Sequence, residues 1–86
     1  MGMHEHDLLP SDLDRIAAVV AAQGIDAIDP GLIDAVANRA LTRGASRTIA
    51  AVATDPAEPA VARVRAFGRL AVIAARPAPG RLLTAA

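Results

Sequence analysis

Residues 61–76 read VARVRAFGRLAVIAAR. Their reading decides the fold, because the apolar residues recur at helical rather than strand spacing. At about 100° per residue, Val64, Phe67, Leu70, Ala71 and Ala74 fall on one broad arc, with Gly68 at its edge. Arg65, Arg69 and Arg76 share the opposite side, at spacings of four and seven, and Arg63 lies apart from them, by the apolar arc. The segment is predicted as an amphipathic helix with a ridge of guanidinium groups. Gly68 costs about 1 kcal/mol against Ala in a helix interior, so it is expected to admit another helix at close range. Val72 and Ile73 fall outside the main arc, which suggests a helix that meets more than one neighbour.

The same periodicity extends toward the N-terminus. Ser11 reads as an N-cap with Asp14 three residues on, followed by Leu13, Ile16, Ala17 and Val20 on one face and Gly24 as the stop. A helix over about 11–23 follows. Ile25 and Ile28 point inward from a short connection. Asp29-Pro30 is a cap followed by proline at the first helical position. Leu32, Ile33, Val36, Ala37, Ala40 and Leu41 then form a stripe that ends at Gly44. Ser46 caps a short third helix through Thr54, with Ile49, Val52 and Ala53 inward. The run Asp55-Pro56-Ala57-Glu58-Pro59 opens the fourth helix at Pro56 or Pro59, and Pro77 stops it after Arg76. The expected fold is all-α: a small bundle of about four helices joined by short turns, spanning 11–76. Residues 1–10 read as a flexible acidic arm and 77–86 as a tail containing Pro and Gly.

Composition limits what such a bundle can bury. The chain has 86 residues, enough for one domain. Hydrophobic residues make up 53% of it, but much of that is alanine, and the larger apolar side chains are eight Leu, six Ile, seven Val, two Met and one Phe. An alanine-rich core brings backbones together and buries little area per residue. There is no Cys to add a disulfide or a thiolate metal site. Association is the remaining common remedy.

Net charge is zero, yet the charges are segregated. Residues 1–38 hold seven acids and one base, whereas residues 39–86 hold eight arginines and two acids. Either the two halves face each other within the fold, or a basic surface meets an anionic partner, or subunits meet head to tail. The absence of Lys removes Schiff-base and phosphate-loop chemistry.

The segment Val36 to Ala53 has a helix, a glycine turn and a second helix, the order of a helix-turn-helix. Arg39, Arg43 and Arg47 at i, i+4 and i+8, with Ser46 and Thr48, are the candidate phosphate contacts. Arg39 and Arg43 occupy slots where such motifs bury apolar side chains, and no aromatic or long amide side chain is placed for bases.

The two histidines, His4 and His6, are the candidate metal ligands. With Met1 removed, an amine at Gly2, two amides and the His4 imidazole would make a square-planar set for Cu(II) or Ni(II). A short arm that happens to carry His is the ordinary reading, and no metal or cofactor is expected. With no Cys, Lys, Tyr or Trp and no His in the helical part, acid–base chemistry would rest on carboxylates that capping already explains. No enzymatic activity is expected. No apolar run reaches the roughly 18–20 residues that cross a bilayer, and the start MGMHEHD lacks the basic and apolar regions of a signal peptide. A cytoplasmic protein is expected.

The sequence therefore points to a small non-catalytic helical protein that acts by association, with itself or as an accessory subunit to another chain. Its candidate contact residues are Arg63, Arg65, Phe67 and Gly68, together with Arg69, Val72 and Arg76. The alternative is a small DNA-binding regulator using Arg39 to Thr48.

Overall fold

A computed structural model of the chain describes residues 10–76. It contains four α-helices: α1 (Pro10–Gln23), α2 (Pro30–Thr42), α3 (Arg47–Thr54) and α4 (Ala60–Ala74), with a 3-10 turn at Ile25–Ala27 between α1 and α2. Among the described residues there is no strand. The all-α bundle expected from periodicity is what forms. Apart from Pro10, the expected N-terminal arm lies outside the described residues, and so does the tail.

The helix boundaries follow local chemistry. Asp29 caps α2, its Oδ2 accepting from the Gly31 backbone N–H at 2.9 Å, with Pro30 at the first helical position. Ser46 caps α3, its Oγ accepting from the N–H groups of Thr48 and Ile49. Gly44, at φ +95°, ends α2 in a Schellman arrangement. There the Ala45 N–H reaches the Ala40 carbonyl and the Gly44 N–H reaches that of Leu41.

Three expectations need correction. α1 begins at Pro10, so Ser11 sits inside the first turn rather than at the cap; the fixed φ of proline suits that turn. α4 begins at Ala60 with Pro59 as its cap residue, not at Pro56. Residues 55–58 instead form a turn in which the Asp55 Oδ1 accepts from the Ala57 N–H, so Glu58 does not act as a capping acid. α4 also stops at Ala74, two residues before Arg76.

The fold is organised around α4. It packs on α1, α2, α3 and the 3-10 turn, while α2 also packs on α3. Phe67 and Leu70 of α4 are completely buried, among Leu13 and Val20 of α1, Ile25 of the turn, and Val36, Ala40 and Ala53 of α2 and α3. Alanines fill much of the rest: Ala37, Ala50, Ala66 and Ala74 all belong to the same cluster. No polar or charged residue is buried among the described ones.

A candidate interaction groove on α4

Six of the eight described arginines divide into two groups according to what their side chains meet. Arg39 and Arg43 of α2 turn toward the end of α4. Arg39 Nε donates to the Ala74 carbonyl at 3.0 Å, and Arg43 Nε donates to the Arg76 carbonyl at 2.8 Å. Arg63 of α4 does the same for α3, its Nε donating to the Ala53 carbonyl at 3.1 Å. The last carbonyls of a helix have no intrahelical partner and carry the negative end of its dipole, so a guanidinium there satisfies an acceptor and opposes that charge. All three arginines are partly buried. Arg43 also bridges its own helix end, its second guanidinium nitrogen lying 3.4 Å from the Arg39 carbonyl and 3.3 Å from the Thr42 hydroxyl.

Arg65, Arg69 and Arg76 form the second group. Each is exposed, and its guanidinium has no hydrogen-bond or ion-pair partner among the described residues. With Gly68, Val72 and Ile73, and with Ile49 reaching over from α3, they line an open groove of about 490 Å³. Val72 is 65% exposed, one of two large apolar side chains left so open among the described residues. A Cβ built on Gly68 would meet nothing within 4 Å. The close helix contact expected at Gly68 is therefore not made among the described residues, and the glycine leaves the groove open instead.

The candidate contact residues thus separate. Arg65, Gly68, Arg69, Val72 and Arg76 come together in one groove. Phe67 is at the centre of the core and Arg63 is held on the end of α3, so neither lines the groove. Ile49 and Ile73 are groove residues that helical spacing did not single out. The half-exposed position of Ile73 on α4 was legible, but the approach of Ile49 from another helix was not.

The candidate phosphate contacts separate as well. Arg39 and Arg43 face α4, and the Ser46 hydroxyl caps α3. Arg47 and Thr48 remain exposed. Arg47 lines the shallow channel between α2 and α3 together with Asp34, a carboxylate that would repel phosphate. His4 and His6 lie outside the described residues. Among the described residues no three His, Cys, Asp or Glu side chains gather in a way that could hold a metal ion. No helix among them is long and apolar enough to cross a membrane. Comparison of the chain with protein-family models, with curated proteins and with solved structures gives no match.

Proposed function

We propose that this is a non-catalytic cytoplasmic protein that works by association, as a homo-oligomer or as an accessory subunit, and that the groove between α3 and α4 is its contact surface. The observation that carries this reading is the company Arg65, Arg69 and Arg76 keep. Three guanidinium groups with no partner among the described residues surround exposed Val72 and the open space over Gly68. Desolvated apolar surface at the centre with charge at the rim is the anatomy of a protein contact. Arginine suits such a rim because its planar fork pairs with carboxylates through two hydrogen bonds. The DNA-binding alternative draws less support, since two of its three arginines are already engaged on the end of α4.

The test is the mass of the assembly. Light scattering over a hundredfold concentration range, and native mass measured on material recovered from cell lysate, should reveal a species larger than the chain in at least one case. Reversing Arg65 and Arg69 together to Glu should weaken it while leaving helix content unchanged. A well-folded monomer under both conditions removes this reading.

A further inference from the structure

Building on the association just proposed, we infer that the occupant of the α4 groove is a second copy of this chain, which presents the acidic cleft beside its 3-10 turn. That cleft has a volume of about 340 Å³ and is lined by Ile25, Ile28 and Ile33, with Asp26 and Asp34 at its edge. Both carboxylates are exposed and have no hydrogen-bond or ion-pair partner among the described residues. Arg63 also borders the cleft, its Nε on the Ala53 carbonyl, so the cleft carries two carboxylates against one guanidinium. One surface therefore offers an apolar recess with carboxylates, and the other an exposed valine flanked by guanidinium groups. The two match in charge and in polarity of their centres, which favours the encounter and fixes its register.

Their placement sets the symmetry. Arg63, at the acidic cleft, and Val72, in the groove, are nine residues apart on α4, which places them about 180° apart around its axis. Val72, Arg65 and Arg69 fall within about 60° of one another on the far side. The cleft and the groove share no lining residue and flank α4 on different sides, so the contact pairs two unlike surfaces. The contact is heterologous, so each copy keeps one free surface of each kind, and copies add head to tail into a ring or an open chain.

Sedimentation of the full chain over a concentration series, at low and high salt, tests this. The wild type should exceed the mass of a dimer as concentration rises, and salt should reverse the growth. Asp26→Arg/Asp34→Arg and Arg65→Glu/Arg69→Glu should each weaken assembly by roughly tenfold or more, since like charges then face each other. An equimolar mixture of the two variants should recover it. Val72→Asp, at a position 65% exposed, should also abolish it, and circular dichroism should show native helix content in every variant. An assembly that stops at two copies, or one indifferent to Asp26→Arg/Asp34→Arg, overturns the inference while leaving association intact. A purified monomer whose larger species, recovered from lysate, depends on Arg65 and Arg69 also overturns it and assigns the groove to another protein. A monomer in both conditions removes the inference and the association reading together.

Discussion

The guanidinium of Arg39 reaches 35 residues along the sequence to the carbonyl of Ala74, with Nε and oxygen 3.0 Å apart. It ties the last turn of α4 to the last turn of α2. Arg43 repeats the device one turn later on the Arg76 carbonyl. The Arg39 contact bonds a charged donor to the C-terminus of α4, where the dipole favours it, and the Arg43 contact holds the backbone two residues beyond.

Replacing Arg39 by Ala should therefore destabilise the fold by about 1–2 kcal/mol, a value between exposed and partly buried helix-terminus effects. For a domain of this size, each kcal/mol lowers Tm by about 4–8 °C. Arg65→Ala, at an exposed side chain without such a bond, should stay within about 0.5 kcal/mol of wild type in the same urea titration. Equal losses in the two variants would contradict the capping role.

Glycine to alanine should act in opposite directions at two positions. Gly68 lies inside α4 with open space where a Cβ would go, so Gly68→Ala should stabilise the monomer by about 1 kcal/mol. Gly44 sits at φ +95°, where a Cβ is strained, so Gly44→Ala should cost about 1 kcal/mol or more although nothing crowds it. Thermal melts of the two variants check both signs. If Gly68→Ala raises Tm yet weakens assembly, the open space is serving a partner.

Phe67→Ala should remove most of the stability. Phe67 is wholly buried where α4 meets the rest of the fold, and truncating such a residue costs about 3–5 kcal/mol. In a core otherwise made of alanines and a few branched side chains, little can move in to fill the gap. The variant should be largely unfolded near 37 °C by circular dichroism, whereas Phe67→Leu should retain the helices with a lower melting point.

Duplex DNA should bind weakly, with a shallow dependence on salt. Of the arginines that the helix-turn-helix reading would place on phosphates, Arg47 is the one left exposed. One phosphate contact gives a slope of about −0.9 in log K against log salt, far from the steep dependence of a protein that neutralises several. Fluorescence anisotropy between low and physiological salt measures it; a slope near −3 or steeper would restore the DNA-binding alternative.

Much of the fold was legible because it is written in local signals. Asp29-Pro30, Ser46, Gly24 and Gly44 mark helix ends through chemistry confined to a few neighbouring residues, and the apolar spacing of α4 follows from its own turn angle. One error arose where local rules competed. Pro59 admitted both a helix interior and a cap residue, and the Asp55 turn decided between them. The roles of Arg39, Arg43 and Arg63 were illegible for a different reason. Their partners are backbone carbonyls 35, 33 and 10 residues away, and a carbonyl leaves no trace in side-chain pattern. The sequence did register that Arg39 and Arg43 stand where a helix-turn-helix would bury apolar groups. They do turn inward, toward acceptors that periodicity does not reveal. The groove was half visible for the same cause: Arg65, Arg69 and Val72 share one helix face, whereas Ile49 joins them through tertiary structure.

The central position of α4 makes the stability of this protein uneven. α1 rests mainly on α4 and the 3-10 turn, whereas α2, α3 and α4 each pack on the other two and are pinned by arginine at their ends. The chain can therefore open in stages, with α1 lifting away first and leaving a three-helix remainder. Amide hydrogens of α1 should exchange with solvent sooner than those of α2 and α4. The partly opened state would uncover the side of Phe67 and Leu70 that Leu13 and Val20 close over, making α1 the hinged wall through which proteases or chaperones first meet the interior.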